Sequence, residues 1–299
     1  MSTSTVSGAL TQMYFLFSSF RSPDFQLLSS DYENEPSFYM VSQRKPVTNI
    51  ITRIGGKDSN MYAMDSDAGL FKNNENVLMK LGKVVERQLT LSKTEFEKNF
   101  VKGKIPEGQP IIDDEHYRYM KLNNNICLRS QIDTTMRLDD GTDIVFEIKT
   151  RGAAPIRYDL ENYQDYLDYE INQYRGIHSS YEREYYDLIR GGFIKYCFQL
   201  KIGNQSGAFV SYHNTVENFG FEYISTEEIE KRIFGSSTYA DLVFVTCSKL
   251  LTNLTDHVLE HNKNEDFQTM RLGFYADNRT DKMVAFAELF YDIDKWGDD

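Results

Sequence analysis

A chain of 299 residues, 40% hydrophobic and 26% charged, has room for a substantial buried core and the balance of a globular protein. Its 33 Lys and Arg against 45 Asp and Glu give a formal net charge of −12. That excludes a general, salt-driven nucleic-acid binder, though not a nuclease whose positive charge is confined to one groove.

No stretch reaches the ~20 apolar residues of a membrane helix. Cys127, Cys197 and Cys247 lack metal-ligand spacing, so a reducing interior without zinc is expected. The first 21 residues are Ser- and Thr-rich and acid-free but hold one arginine, Arg21. They are expected to be folded, with any targeting leader outside this sequence.

Ser2-Thr-Ser-Thr5 followed by the apolar run Val6 to Phe20 predicts a short helix with a hydroxyl N-cap. The sharper reading of the same hydroxyls is that they hold a substrate phosphate at the helix N-terminus. Residues 22 to 65 read as irregular and polar, with strand-like pieces at Phe38–Val41 and Ile50–Arg53. Asn74 to Thr90 predicts a helix with Val77, Leu81, Val84, Val85 and Gln88 on its buried face. Glu75, Gly82 and Glu86 run along the edge of that face. The glycine permits close approach of another element, which favours Glu86 pointing into a site rather than to solvent.

Ser92 to Asp114 reads as a loop-rich excursion broken by Gly103, Pro106, Gly108 and Pro110. Two β-rich runs come next, Leu128–Asp133 and Asp143–Arg151, on either side of the turn signal Leu138-Asp-Asp-Gly-Thr142. They are expected to form one hairpin. Period-two alternation puts Arg129, Gln131 and Asp133 on one face of the first run, and Glu147, Lys149 and Arg151 on one face of the second. Asp133, Glu147 and Lys149 then converge as a hydrolytic metal site, to which the Ile148 carbonyl adds an oxygen.

Residues 153 to 174 read as a tyrosine-rich, acidic, lid-like cover, helical from about Leu160. Ser179 to Lys201 predicts a long helix, with Gly191-Gly192 marking close packing or a bend. Arg183, Arg190, Lys195 and Lys201 make it the most basic element for a groove along a nucleic-acid backbone. Tyr196 and Gln199 lie on it within reach of the same site. Strands are expected at Gly207–Tyr212 and Gly220–Ile224, helices from Thr226 and over Tyr239–His261, and a late strand pair at Met270–Ala276 and Met283–Phe290.

The order is α/β with a mixed sheet flanked by helices. One domain is expected over residues 1–299, with an N-terminal helix and extension (1–65), a catalytic core (66–224), and C-terminal helices and strand pair (225–299).

Phosphodiester hydrolysis needs phosphoryl charge neutralised and water made nucleophilic near neutral pH, which carboxylate-held Mg²⁺ supplies. In that chemistry Asp133 and Glu147 ligate the metal and Glu86 adds a third carboxylate. Lys149 positions water and counters developing charge.

Asp133 with Glu147-Ile-Lys149, an upstream helical Glu86 and a downstream Tyr196-x-x-Gln199 resembles the PD-(D/E)XK nuclease superfamily. A wider set matches more specifically: Ser2-Thr-Ser-Thr5 with Gly8–Phe15, Leu81-Gly-Lys-Val-Val-Glu86, Arg129-Ser-Gln-Ile-Asp133, Phe146-Glu-Ile-Lys-Thr-Arg151, Glu182–Arg190 and Tyr212-His-Asn-Thr215. Spread over nearly the whole chain, it resembles the fungal mitochondrial Pet-type proteins of RNA 5′-end processing and degradation. Ile132 stands where the superfamily often has proline.

The resemblance implies a restriction-endonuclease-like core and a 5′→3′ exoribonuclease using Mg²⁺, with Mn²⁺ as a substitute. It places the protein in the mitochondrial matrix or at the inner membrane, acting on RNA with a free 5′ end. Arg151, Arg183 or the N-terminal Ser-Thr cluster would then bind the terminal phosphate. Arg129, Gln131, Lys195 and Tyr196 would contact nucleic acid.

Two other readings share these residues. One is a catalytically weak RNA-binding protein that docks mitochondrial RNA polymerase or membrane-associated expression machinery. The other is a DNA exonuclease with the same site.

Overall fold

Helix α1 (Thr3–Phe17) is apolar around most of its circumference, and Val6, Ala9, Leu10, Met13 and Phe15 are fully buried. A helix buried all round belongs in a core rather than on a surface. It packs on the later helices and on the sheet beside them. Its polar groups are absorbed internally: Gln12 Nε2 donates to Lys45 O at 2.9 Å, and its Oε1 accepts Ala276 N–H at 3.0 Å. The computed structural model describes residues 3–56, 59–67, 77–101, 116–122 and 126–291.

After α1 the chain runs through a four-residue helix α2 (Val41–Arg44) to β1 (Val47–Ile54) and β2 (Met61–Ser66). Phe38–Val41 is therefore no strand, whereas the strand expected near Ile50 is formed. Helix α3 (Val77–Thr90) follows, then α4 (Lys93–Phe100). The second is opened by a capping box, in which Ser92 Oγ accepts Glu95 N–H at 3.3 Å and Glu95 Oε2 accepts Ser92 N–H at 3.2 Å. The excursion read from residue 92 thus begins as a helix, because reciprocal caps satisfy two orphan donors. Residues 102–115 lie outside the described residues, as does Glu75.

β3 (His116–Leu122) pairs antiparallel with β4 (Ile126–Ile132) in a separate two-stranded sheet. The expected hairpin between Leu128–Asp133 and Asp143–Arg151 is not formed. Instead β5 (Thr134–Arg137) pairs with β6 (Asp143–Gly152), Thr134 opposite Phe146. The Asp-Asp-Gly turn closes that hairpin as expected, with Gly141 at φ 84° and Thr142 N–H donating to Asp140 Oδ1 at 2.8 Å. The run read as one strand changes sheet at Asp133.

From β6 the chain passes through α5 (Ala154–Tyr158), α6 (Tyr181–Gly191) and α7 (Phe193–Gly203) to β7 (Gly207–His213), which lies parallel to β6. The long helix expected from Ser179 is two helices, broken at Gly192. The segment read as a lid is tied down: Asn214 Nδ2 donates to Leu167 O at 2.6 Å and to Tyr169 O at 3.1 Å. Strand β8 (Asn218–Ser225) completes the sheet order β5-β6-β7-β8.

Helices α8 (Thr226–Phe234) and α9 (Ser237–His261) lead to β9 (Thr269–Asp277) and β10 (Lys282–Phe290). The late strand pair joins the early one in a sheet ordered β10-β9-β1-β2. The two ends of the chain share one sheet, while α1 and α7 meet in the core between the sheets.

Candidate active site

Asp133 sits where β5 begins. Since Thr134 faces Phe146, Asp133 falls at the level of Glu147, and beyond it the β5 side of β6 has no strand partner among the described residues. There Asp133 Oδ2 accepts the Ile148 N–H at 2.8 Å, replacing a ladder partner with a carboxylate. Glu147 and Lys149, two apart on β6, share a face and are ion-paired. Glu147 is buried, and its second oxygen accepts Gln205 Nε2 at 2.9 Å.

Helix α3 lies against β6. Its inward stripe is rotated from the one expected, with Val84 and Gln88 exposed, and Gly82, Val85 and Glu86 turned inward. At Gly82 a Cβ would stand 2.9 Å from Thr150 Oγ1, so only glycine allows this approach. The close contact brings Glu86 to a cleft of about 400 Å³ lined by Leu78, Gly82, Glu86, Ile148, Lys149 and Thr150.

The electrostatics reflect crowded acids. Burial and the neighbouring Glu147 push the Asp133 carboxyl up to about 7, against the pull of the Ile148 N–H and Lys149. Burial also raises Glu86, with Arg87 and Lys149 opposing and Glu147 adding to it. Burial alone would lower the Lys149 ammonium, but Glu147, Tyr196 and Asp133 hold it above the usual lysine range. Lys149 Nζ stands 5.5 Å from the centre of the Tyr196 ring.

These observations fit an oxygen-liganded divalent cation. Carboxylates crowd one edge of β6, and burial beside Glu147 holds Asp133 above the usual carboxylate range, a cost that a cation between them would relieve. A third ligand is not pre-assembled: among the described residues no three His, Cys, Asp or Glu form a group able to hold a metal ion. Asp133 and Glu147 are the pair the fold brings together, and Glu86 acts on them through its charge.

The remaining expected residues divide. Tyr196 is at the site, and Gln199, one turn further along α7, is half-buried, its side chain without a hydrogen bond among the described residues. Lys195 is half-buried and lowered by that burial, and no carboxylate among the described residues pairs with it. Arg129 and Gln131 are on the exposed face of β4, where Arg129 stacks 4.5 Å from the centre of the Tyr117 ring.

Arg151 and Arg183 are built into an internal network. Arg151 Nε is 3.5 Å from Glu184 Oε2, and Arg183 Nε is 3.4 Å from Asp187 Oδ2. Arg157 binds both acids, at 2.5 Å to Asp187 Oδ2. Of the basic stripe read on the long helix, Arg190 donates to Phe38 O at 2.9 Å, and Lys201 pairs with Glu230 at 2.5 Å and Asp241 at 2.6 Å. These are structural contacts, so the stripe is not a free basic groove. Of the N-terminal hydroxyls, that of Thr5 turns inward. Thr5 is buried with its Oγ1 3.0 Å from Ser66 Oγ, and Ser2 lies outside the described residues.

Gln205 was not singled out among the sequence candidates. It is six residues beyond Gln199, past the helix end, and no local pattern distinguishes it from a turn residue.

An α/β fold whose mixed sheet presents Asp133, Glu147 and Lys149 at one strand edge is thus in place, and the comparisons identify its family. Residues 1–256 match the family model described as mitochondrial protein Pet127, and the chain belongs to that family. It is 29% identical over 276 residues to the Schizosaccharomyces pombe "mRNA degradation protein pet127, mitochondrial", covering 90% of this chain and 51% of that protein. It is 33% identical over 240 residues to the Saccharomyces cerevisiae "Putative mitochondrial translation system component PET127", covering 79% of this chain and 27% of that protein. The chain therefore spans about half the length of the first relative and less of the second.

Among solved structures, Candida albicans Rai1 in complex with pU5-Mn2+ is similar at a TM-score of 0.41 and 12% identity, over 96% of this chain and 68% of that one. K. lactis Dxo1 in complex with manganese gives 0.42 and 11%, over 82% and 59%. Likeness that loose carries no argument about the site.

Proposed function

We propose that the chain is a metal-dependent nuclease of the PD-(D/E)XK type that acts on RNA in the mitochondrial matrix and shortens it from the 5′ end. The observation that carries this is the placement of Asp133 and Glu147 together at the β6 edge, with Lys149 beside them and Asp133 raised to about 7. A scaffold gains nothing by crowding two carboxylates together at one strand edge. Family membership and the printed names of the relatives support RNA and the mitochondrion.

A divalent ion, Mg²⁺ or in its place Mn²⁺, would be held by Asp133, Glu147 and the Ile148 carbonyl, with Glu86 nearby; it would neutralise phosphoryl charge and render water nucleophilic near neutral pH. The protein's own groups do the rest. Asp133 is oriented by the Ile148 N–H and Glu147 by the Lys149 ammonium. Lys149, charged at any working pH, orients water and counters charge developing on the phosphoryl oxygens. Tyr196 packs over Lys149 and keeps its ammonium at the cleft.

At the far end of β6, Arg151, Arg157 and Arg183 share the carboxylates of Glu184 and Asp187. The positive excess supports capture of a 5′-terminal phosphate there.

The test is degradation of end-labelled RNA and DNA by the purified chain with Mg²⁺ or EDTA, beside Lys149→Ala. The reading expects Mg²⁺-dependent loss of RNA that EDTA and Lys149→Ala abolish. Degradation indifferent to both would refute it, and DNA preferred over RNA would convert it to a DNA exonuclease. A second reading, an RNA-binding or polymerase-docking protein with little catalysis, is favoured by the lack of three clustered acids among the described residues. RNA binding without turnover would establish it.

A further inference from the structure

The last turn of α7 ends in a device that fixes one side chain. Asn204 is left-handed at φ 46°, and the Gln205 N–H returns to Leu200 O at 2.9 Å, a six-to-one bond that closes the helix C-terminus. Thr226 Oγ1 donates to Gln205 O at 2.8 Å, and the next residue, Ser206, donates its N–H to Val145 O on β6 at 3.0 Å. Gly203 completes the fit. A Cβ there would come within 2.7 Å of both Gln205 Nε2 and Ser130 Oγ. The backbone of Gln205 is therefore pinned to the helix behind it, to α8 and to β6, and its side chain has one direction to go.

That direction is Glu147. Gln205 is 5% exposed, and its Nε2 donates to Glu147 Oε2 at 2.9 Å while Lys149 occupies Oε1. Because the partner is a carboxylate, the nitrogen must be the atom that faces it. The other amide atom, Oε1, is buried and has no partner among the described residues. A purely structural position would be better served by an apolar residue, since an unpaired buried acceptor is destabilising. A second cationic donor there, added to Lys149 on Oε1, would outweigh the single charge of Glu147 and repel a metal ion. A glutamine restrains the carboxylate without neutralising it.

We propose that Gln205 is a positioning residue for Glu147, holding one carboxylate oxygen so that the group is presented in a single orientation to a divalent cation. The inference rests on the metal-dependent nuclease reading above, and names a residue that reading does not require. Partners behind metal ligands are typically worth about 10–100-fold in affinity.

Binding of Mn²⁺ to the full chain, followed by the loss of free-ion electron paramagnetic resonance signal, tests it without turnover. Wild type would be compared with Gln205→Met, which keeps the bulk and loses the donor, and with Glu147→Gln. Thermal unfolding and the KM for RNA are measured alongside. The expected result is Mn²⁺ affinity about tenfold weaker in Gln205→Met, with the KM for RNA unchanged. Gln205→Asn, too short to reach Glu147, gives the same loss and carries the test should the methionine variant fail to fold.

If both variants bind Mn²⁺ like wild type while Glu147→Gln does not, Gln205 only packs and the inference is overturned. If wild type takes up no Mn²⁺ that Glu147→Gln removes, the nuclease reading falls and takes the inference with it.

Discussion

The carboxylate of Asp133 takes the backbone N–H of Ile148 at 2.8 Å, and Ile148 is the residue between Glu147 and Lys149. One hydrogen bond thus locks the acid at the end of one sheet to the strand carrying the other acid and the lysine. It also explains why β5 starts at Thr134: the side chain of Asp133 does at that level what a strand partner does below it.

Removing the Asp133 charge should stabilise the metal-free protein at high pH while destroying function. A carboxyl raised to about 7 binds its proton more tightly folded than unfolded, so stability falls as pH rises from about 4 through 7. Asp133→Asn removes that loss, at most about 4 kcal/mol by pH 8. Differential scanning calorimetry with EDTA at pH 6 and pH 8 would show the wild-type Tm dropping between them and the variant's drop reduced. Equal drops in the two proteins would mean that Asp133 is not the strained group.

His213 gives the opposite sign. It is buried, its Nδ1 accepts the Thr215 N–H at 3.1 Å, and burial followed by Arg157 pushes its pKa down to about 4. The folded state holds fewer protons than the unfolded, so stability is full above about 6.5 and is lost as pH falls toward 4. Unfolding midpoints in urea should decline over that window by at most about 3 kcal/mol in wild type. A His213→Gln variant should decline less, and an identical decline would contradict the assignment.

Arg157 is the brace of the arginine network, tied to Glu184, to Asp187 and to the Gly152 carbonyl. Breaking a buried pair leaves its acids uncompensated, so Arg157→Met should cost roughly 3–5 kcal/mol. Equilibrium unfolding checks this. A loss below about 1 kcal/mol would mean that Glu184 and Asp187 are satisfied by Arg151 and Arg183 alone.

If the same network receives the 5′ end, RNA bearing a 5′-phosphate should be degraded faster than RNA with a 5′-hydroxyl, by about tenfold for one charge-assisted contact. Arg151→Met should bring the two rates together without abolishing hydrolysis. Equal rates in wild type would remove end capture from this cluster.

Much of the site was legible because strand alternation is a strong local signal. The Glu147–Lys149 pairing on one face, the glycine that lets α3 approach and the inward Glu86 all follow from residues within a turn or two of each other. The misplaced hairpin shows the limit. Leu128–Asp133 and Thr134–Arg137 are one continuous β-rich run, and only tertiary pairing decides that the sheet changes between them.

Gln205 was invisible for a related reason. Its partner is 58 residues away, and the left-handed Asn204 that aims it is an ordinary helix end in sequence. The union of β9 with β1 joins opposite ends of the chain, so it too lay beyond local pattern. The capping box of α4 was readable at Ser92 and Glu95 but was outweighed by the glycines and prolines that follow it. That Arg151 and Arg183 stand over Glu184 and Asp187 was hidden, because charge in sequence says nothing about which acids fold beneath it.

If the chain is a nuclease, Asp133 and Glu147 must support metal-dependent hydrolysis. The most direct measurement is single-turnover cleavage of 5′-labelled RNA across a Mg²⁺ titration, for wild type and Glu147→Gln. Wild type should show saturable Mg²⁺ dependence and the variant a rate at least about 100-fold lower, with fold and RNA affinity retained. Cleavage by Glu147→Gln at the wild-type rate and with the same Mg²⁺ dependence would contradict that expectation.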